Sequence, residues 1–333
     1  MTYHTSAADI ALRDQSITER VFENLVTRPE AIVLTDGLSG ATMTAGEFMA
    51  QVKQLAGGLT ARGMGAGKTI ALMAPNIPHY CVVFHAVAWA GGTITTINPT
   101  YTASEVAHQL RDSAADLLIT IPMFLETAQM AAKDAAGQTV VVMGEADGVE
   151  PLSAYYGAPL EAQVAVDLDE HSVVLPYSSG TTGLPKPIVH GHGGTVIVAL
   201  ANKILHNDIG CTYHPNSFGE RFHWYSSTGW VMWNAQVAGL LNGVTCVIYD
   251  GNPGGSKDKP DWGILWRMAA EEKVTFFGAG AAFFANCQKA GVDIARCGDL
   301  SRVRALGTTG SPLSPETQTW GVDQFKAIGT DIW

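Results

Sequence analysis

The sequence is poor in charge, and in positive charge most of all. Only 15% of its 333 residues are charged, and 20 Lys and Arg stand against 31 Asp and Glu, for a net charge of -11. Nucleic-acid affinity depends on clustered lysine and arginine that neutralise phosphates. The sequence has no such basic stripe, so we expect no nucleic-acid partner. Any phosphate that the protein binds must be met locally, by loop N–H groups, hydroxyls and a few cations.

Cysteine pairs and long apolar runs are also missing. The five cysteines lie far apart and form no Cys-X-X-Cys pair, which indicates neither a disulfide framework nor a zinc site. The longest apolar stretch, residues 81–97, is interrupted by His85, Gly91 and Gly92 and is too short and broken to span a bilayer. The N-terminal residues lack the basic and apolar regions of a signal peptide. We therefore expect a cytoplasmic protein without a membrane span.

What the sequence does contain is a regular alternation of short apolar strands and helices. Thr44 with Glu47, and Thr102 with Glu105, form capping boxes ahead of residues at helical spacing. β-branched and apolar runs such as residues 69–74, 93–97 and 117–121 predict the strands between the helices. This alternation predicts an α/β protein with parallel sheets covered on both faces. A stretch of Gly, Pro and acidic residues at about 145–172 predicts two αβα subdomains, residues 1–170 and 171–333.

In such sheets, ligands bind in the loops that follow the carboxyl ends of strands. The apolar run 172–176 is followed by Tyr-Ser-Ser-Gly-Thr-Thr-Gly-Leu-Pro-Lys, residues 177–186. Glycines let the backbone approach a ligand closely, hydroxyls donate hydrogen bonds, and the lysine supplies a positive charge. This combination suits a polyphosphate, although a generic Gly/Ser/Thr loop can also be an ordinary polar turn. It is not a Walker A loop, which needs GxxxxGK[ST].

Residues 178–186 resemble the phosphate-loop signature of the adenylate-forming superfamily, which includes acyl-CoA synthetases, peptide-synthetase adenylation domains and firefly luciferase. The resemblance extends along nearly the whole chain. It implies the N-terminal domain of such an enzyme, with the phosphate loop in the second subdomain. The phosphate-binding residues that it implies are Ser178, Ser179, Gly180, Thr181, Thr182, Gly183 and Lys186.

The resemblance implies a two-step reaction that uses ATP, Mg²⁺ and coenzyme A. A carboxylate attacks the α-phosphorus of ATP with loss of pyrophosphate, and the CoA thiol then attacks the acyl-adenylate. Two alternatives stay open at this point. The alternatives to an acyl-CoA synthetase are an adenylation domain that loads a carrier protein and an ATP-binding remnant without catalysis. A synthetase transfers the acyl group to CoA, whereas an adenylation domain transfers it to a carrier protein, so the accepted thiol distinguishes these two. ATP binding without turnover would indicate the remnant.

The resemblance changes along the chain. Residues 1–186, with motifs at 74–79 and 91–99, resemble 4-coumarate- and other aryl- or fatty-acyl-CoA ligases. Residues 187–333, with motifs at 187–194, 227–234 and 307–313, resemble acetoacetyl-CoA synthetase. We therefore hypothesise a chimera joined near the phosphate loop. The two halves imply different acids, acetoacetate from one and an aryl or fatty acid from the other.

Two further sites are implied by position. Trp230 and Val231 match the family segment that walls the acyl pocket, whereas the residues alone suggest core or helix-packing aromatics. Gly310, Ser311 and Pro312 match the loop that lies against adenine, although a plain βα turn fits them equally well.

The last residues, Asp331 to Trp333, match the start of the family segment at the nucleotide. The acidic Mg²⁺ ligand, the ribose-binding aspartate and the small C-terminal lid domain with the adenylation lysine follow it in the family. None of these lies within the sequence, so we expect an incomplete site and very poor adenylation by this polypeptide alone.

Two further patterns resemble known motifs but lack part of the pattern that each motif needs. Residues 65–69 contain Gly-Lys-Thr, but Arg62 replaces the first Walker A glycine and the loop precedes a strand. His190 and His192 lie two residues apart with no further ligand at metal spacing. We expect these histidines to be exposed or bonded to the backbone, and we predict no metal site.

Overall fold

Two largely parallel β-sheets organise the fold. The computed structural model describes residues 14–178, 185–209 and 219–332. Its strands are, in chain order, β1 (Ile32–Asp36), β2 (Thr42–Thr44), β3 (Thr69–Met73), β4 (Thr93–Thr96), β5 (Leu117–Thr120), β6 (Thr139–Val142), β7 (Glu150–Pro151), β8 (Ser172–Leu175), β9 (Tyr177–Ser178), β10 (Lys186–Pro187), β11 (His190–Gly191), β12 (Arg221–Trp224), β13 (Thr245–Ile248), β14 (Phe276–Gly280) and β15 (Ala305–Thr309).

Ten α-helices of the described residues connect and cover these strands. They are α1 (Ile17–Leu25), α2 (Ala45–Ala61), α3 (Pro78–Trp89), α4 (Ala103–Asp112), α5 (Leu125–Ala135), α6 (His192–Ala201), α7 (Val231–Val237), α8 (Ile264–Glu271), α9 (Ala281–Lys289) and α10 (Pro315–Ala327). None of the helices in these ranges has both the length and the apolar character needed to cross a membrane. The predicted α/β class with parallel sheets is confirmed.

The larger sheet has seven strands in the order β11-β8-β4-β3-β5-β6-β7. All neighbouring pairs are parallel except β11 with β8, which is antiparallel. The smaller sheet has the order β15-β14-β12-β13-β1-β2, with the β1–β2 pair antiparallel and the others parallel. The apolar runs of the sequence predicted the parallel strands but not these antiparallel edges.

Both sheets draw strands from both sides of residue 170. β1 and β2 come from the first part of the chain but pair in the six-stranded sheet. β8 and β11 come from the second part but pair in the seven-stranded sheet. The predicted segments 1–170 and 171–333 therefore do not coincide with the two sheets, because strand pairing joins residues that are distant in sequence.

Capping boxes begin three helices. The Thr44 hydroxyl accepts a bond from the N–H of Glu47, whose carboxylate accepts the N–H of Thr44 at 2.8 Å, and Thr102 and Glu105 repeat the arrangement ahead of α4. Both boxes were predicted from the sequence. Ser16 forms a third box with Glu19 ahead of α1, which the sequence analysis did not identify.

Two strands of the six-stranded sheet begin and end a few residues after the positions that their apolar residues predict. The sequence predicts strands over 274–277 and 303–306, whereas β14 and β15 continue to Gly280 and Thr309. The two strands pair residue by residue from Phe276 with Ala305 to Gly280 with Thr309. Apolar residues mark the buried part of each strand, but the backbone ladder continues beyond it through glycine and threonine.

Two consecutive glycines let helix α2 contact the backbone of residues 155–158. A Cβ atom at Gly58 would lie 1.6 Å from the carbonyl oxygen of Tyr155, and one at Gly57 would lie 1.9 Å from that of Ala158. Neither oxygen belongs to a side chain that can rotate away. The close approach therefore requires glycine at both positions, although alanine is the better helix former.

We predict that Gly58→Ala lowers the free energy of unfolding by about 1–3 kcal/mol, because the added methyl group forces the two backbones apart. Urea unfolding measures the change. Gly193→Ala is the control, since no atom lies within 4 Å of a Cβ at that helical position. The control should keep its stability or gain up to about 1 kcal/mol. Equal stabilities of wild type and Gly58→Ala would contradict the predicted contact.

Candidate functional site

The two ends of the predicted phosphate loop lie side by side. β9 and β10 form an antiparallel ribbon in which Ser178 pairs with Lys186 and Tyr177 pairs with Pro187. These paired residues mark the two ends of the predicted loop. Ser178 and Lys186 are both exposed. The other predicted phosphate ligands, Ser179, Gly180, Thr181, Thr182 and Gly183, lie outside the described residues.

Helix α4 fixes the base of this ribbon. The Tyr177 hydroxyl donates to Asp112 Oδ2 at 2.7 Å, and His108 Nε2 lies 3.3 Å from the carbonyl oxygen of Pro185. Burial and the bond to Asp112 raise the pKa of Tyr177 well above its usual value, which keeps the phenol protonated as the donor. The helix that follows β4 thus contacts the ribbon on β9 and at the residue directly before β10.

Lys186 is the cation at the end of the loop. Its side chain is exposed, and within the described ranges it makes no salt bridge. Its ammonium group is therefore not committed to a carboxylate in that part of the chain. An anion at the loop would meet this charge without competition from an internal ion pair.

The segment before Trp230 connects the two sheets. The Thr228 hydroxyl donates to the carbonyl oxygen of Ala74 at 2.7 Å, just beyond β3. A Cβ atom at Gly229 would lie 2.6 Å from the backbone nitrogen of Asn98, just beyond β4. Only glycine permits that approach, so the loop after β12 sits directly on the carboxyl ends of strands in the other sheet.

The tryptophans near this segment have different environments. Trp233 is buried, packs 4.6 Å from the ring of Tyr80, and donates from Nε1 to Asn76 Oδ1 at 3.0 Å. This is the core role that the residue pattern alone suggests. Trp230 is 50% exposed and precedes α7. Val231 begins α7, and its side chain lies outside the described part of the structure. Their predicted role in the acyl pocket stays a prediction.

Trp224 lies across the neighbouring strands β14 and β15. A Cβ atom added at Gly278 would lie 2.2 Å from the Trp224 ring, and one added at Gly307 would lie 2.4 Å from it. Gly307 begins the motif that was assigned to the adenine loop, and its packing role explains the glycine independently of any nucleotide. The candidate adenine residues Gly310, Ser311 and Pro312 follow β15 and are exposed, with Gly310 at a φ of 92°.

The last predicted nucleotide residues lie after helix α10. Asp331 is exposed, and Trp333 lies outside the described residues. Between them, Ile332 packs partly against the apolar core of the six-stranded sheet. The structure therefore places the backbone at Asp331 beside this core but does not describe the final residue of the motif.

A cavity of about 680 Å³ joins three of the sequence motifs. It is lined by His190 just after the phosphate-loop ribbon, by Met232 just after Trp230 and Val231, and by Thr309 just before Gly310. Helices α1, α3 and α6 supply apolar side chains such as Val21 and Phe84. Mostly apolar cavities of this size with a few converging polar groups are the usual form of small-molecule sites.

Several residues of this cavity were not found by sequence reasoning. His85 and Lys203 line it, and both are buried. His85 interrupts the apolar run 81–97, and a polar residue within such a run is a sequence signal of a buried polar group. Lys203 lies just after the apolar run 196–201 of α6, and a lysine next to such a run is a second signal of the same kind.

His192 forms hydrogen bonds at both ring nitrogens. Nδ1 accepts the N–H of Ile17 at 3.2 Å, and Nε2 lies 3.0 Å from Nδ1 of His171. The backbone bond agrees with the expectation from the sequence, while the side chain is buried rather than exposed. Burial, followed by the neighbouring His171, lowers the pKa of His192 to about 4.

The described residues contain no group of three His, Cys, Asp or Glu side chains placed to hold a metal ion. Mg²⁺ prefers several oxygen ligands in octahedral geometry. The residues that the structure describes do not fit such a site, and we therefore derive no step through a metal.

Known proteins with similar sequences belong to the family that the sequence motifs indicate. The model of the family described as AMP-binding enzyme matches residues 21–332. Acetoacetyl-coenzyme A synthetase of Rhizobium meliloti (strain 1021) is 31% identical over 318 residues, which are 87% of this chain and 47% of that protein. 4-Coumarate--CoA ligase 5 of Oryza sativa subsp. japonica is 35% identical over 200 residues, which are 58% of this chain and 36% of that ligase.

The fold comparison gives the same class. The solved acetoacetyl-CoA synthetase from Streptomyces lividans superposes with a TM-score of 0.85 at 35% identity and covers 96% of this chain and 50% of that one. The fold and the motifs thus define an α/β protein of the AMP-binding class. The chain belongs to the AMP-binding enzyme family, and the relatives named above are acyl-CoA synthetases. It spans about half the length of the curated relatives that it matches.

The predicted resemblance is confirmed at the level of the family. The relatives include a 4-coumarate--CoA ligase, which the first half of the sequence resembles, and an acetoacetyl-CoA synthetase, which the second half resembles. One synthetase nevertheless matches 87% of the chain. The chimera stays a hypothesis, and a single DNA read across the codons near residue 186 tests it.

A buried histidine, His223, lies on β12 of the six-stranded sheet. His223 Nδ1 lies 2.8 Å from the carbonyl oxygen of Val247, and its Nε2 has no hydrogen-bond partner within the described residues. Burial lowers the pKa of His223 to about 4. Below the ordinary histidine pKa of about 6.5, the unfolded chain therefore binds a proton that the folded chain does not.

We predict that His223 alone removes about 2 kcal/mol of the free energy of unfolding between pH 7 and pH 5. In His223→Asn the side-chain amide can still donate to Val247, but the titrating ring is absent, so this loss should shrink by about 2 kcal/mol. Urea unfolding at the two pH values measures it, with His206→Asn at an exposed position as the control. An unchanged pH dependence in His223→Asn would be evidence against a neutral buried ring.

Proposed function

We propose that this chain carries the ATP- and acid-binding part of an acyl-CoA synthetase that activates a short carboxylic acid as its acyl-adenylate. The observation that carries the proposal is the meeting of three motif segments at one cavity. His190 just after the phosphate-loop ribbon, Met232 just after Trp230 and Val231, and Thr309 at the end of β15 all line it. Family membership and the relatives' names support the same activity.

In the proposed first step, the carboxylate oxygen of the acid attacks the α-phosphorus of ATP. The bond from this phosphorus to the bridging oxygen breaks, and pyrophosphate leaves. The loop on the β9–β10 ribbon holds the leaving phosphates, and Lys186 offsets their negative charge. Positioned charge of this kind is the main source of rate in phosphoryl and related transfers.

In the proposed second step, the thiolate of coenzyme A attacks the acyl carbon and AMP leaves. Gly310, Ser311 and Pro312 would lie against adenine, and Asp331 would approach the nucleotide. Mg²⁺, when bound to a complete site, would neutralise phosphate charge. A cytoplasmic location and the absence of a nucleic-acid partner stay predictions from the composition.

The acid itself is proposed from similarity and from the cavity. The Rhizobium and Streptomyces relatives are named for acetoacetyl-CoA, and residues 187–333 carry motifs similar to theirs. Residues of this part, among them Trp224, Met232 and Thr308, line the cavity. We therefore propose acetoacetate or a closely related short acid rather than an aryl acid.

The phosphate role of Lys186 predicts a large effect on nucleotide affinity. Lys186→Ala should raise the Kd for ATP about tenfold or more, since hydrogen bonds to charged groups contribute about 1.5–3 kcal/mol. Isothermal titration calorimetry of the full chain with ATP measures the Kd. Lys289→Ala, which removes an exposed lysine from α9, is the matched control and should bind ATP like the wild type.

ATP affinity that is equal in the wild type and Lys186→Ala would reject the assigned loop. An ATP affinity that falls equally in the control would instead indicate a general effect of protein charge. The experiment measures ATP binding rather than turnover because the Kd for ATP depends directly on the charge at Lys186.

A further inference from the structure

Lys203 is a buried lysine that lines the candidate acyl cavity. Only 3% of its surface is exposed, and it lies in a single π-helical turn, Asn202–His206, directly after α6. π-helical turns are rare and occur frequently at functional sites. Asn202 in this turn and Asn207 directly after it line the same cavity. The otherwise apolar cavity therefore has a polar region here, separate in sequence from the threonines at the end of β15.

The ammonium group of Lys203 has no counter-ion within the described ranges. It makes no salt bridge there, and the contact of its Nζ atom is with the ring of Phe222, 3.3 Å from the centroid. The nearby Cys246 does not supply a negative charge, because burial raises the pKa of its thiol to about 12. A cation–π contact offsets only part of the cost of removing an ammonium ion from water.

The same burial disfavours the charged form of the side chain. Burial lowers the pKa of Lys203 to about 7. An apolar residue of similar length, such as methionine, would fill the same space without that cost. A lysine is favoured here only if something accepts its hydrogen bonds, and the cation–π contact with Phe222 is not such a bond. A ligand in the cavity can supply one.

The size of the cavity does not select a small acid by itself. At about 680 Å³ it exceeds the volume of a four-carbon acid, so shape alone admits longer and purely apolar chains. A polar group on the wall changes this selection. A site built to hydrogen-bond one substrate atom discriminates strongly against an analogue that lacks the atom, because its own polar group is then left unpaired.

We propose that Lys203 is the specificity-determining residue of this cavity and donates a hydrogen bond to an acceptor oxygen at the far end of a short carboxylic acid. The substrate class is thus a short acid with a distal oxo or carboxylate oxygen. This proposal rests on the proposed function, since it takes the cavity to be the acyl site. The ring of Phe222 lies against the ammonium group, and Trp224, whose ring stacks on that of Phe222 at 6.4 Å between centroids, lines the cavity.

Three acids of four carbons test the proposal on the full chain: butanoate, 3-oxobutanoate (acetoacetate) and succinate. They share the reacting carboxylate and differ in the distal oxygen. Calorimetric titration in the presence of ATP gives their Kd values. The wild type should bind acetoacetate or succinate roughly tenfold more tightly than butanoate, as expected for one hydrogen bond to a charged donor. Which of the two is preferred distinguishes an oxo oxygen from a carboxylate.

Lys203→Met should abolish this preference and leave butanoate affinity unchanged or improved. Lys203→Gln keeps a donor without the charge and should retain an intermediate preference. Lys289→Met is the control on an exposed lysine and should behave as the wild type. Circular dichroism of each variant establishes that it is folded before titration.

Equal affinity of the wild type for all three acids would overturn the proposal without reference to any variant. A preference that survives in Lys203→Met would overturn it as well. If no acid binds while ATP binds in a Lys186-dependent way, the assignment of Lys203 fails and the nucleotide site stands. If neither ATP nor any of the acids binds, the proposed function itself fails.

Discussion

The contact between the loop after β12 and the strand ends of the seven-stranded sheet determines the geometry of the site. Thr228 donates to Ala74 beyond β3, and Gly229 leaves no room for a side chain against Asn98 beyond β4. One hydrogen bond and one missing Cβ thus position the start of α7, and with it Met232, at the cavity wall. Parallel strands gather loop ends at one edge of each sheet, and this contact joins the two edges.

The same loops have both packing and functional constraints. Gly307 leaves space for Trp224 and also begins the segment that leads to the candidate adenine residues. Tyr177 and Asp112 hold the ribbon that carries the phosphate loop while they fix β9 to α4. A family motif can therefore record tertiary packing as well as ligand contact. This is why a motif match established the family here but leaves individual residue roles as proposals.

Charge in the site is sparse and local, as the acidic composition requires. The two lysines have contrasting environments: Lys186 is exposed at the end of the loop, and Lys203 is buried in the cavity wall. Water can solvate Lys186 until a phosphate binds, whereas Lys203 has lost its water and stays charged only at some cost. Exposure suits a group that exchanges ligands, and burial suits a group that selects among them.

The sequence alone determined the α/β class, the capped helices at Thr44 and Thr102, and the family, because these depend on local periodicity, hydrogen bonding between near neighbours and an uninterrupted motif at 178–186. Only the tertiary structure decided which strands share a sheet, since β1 pairs with β13 across more than two hundred residues. It also decided that Lys203 and His85 face one cavity. Burial and convergence arise from contacts between distant segments, and a linear pattern does not contain them.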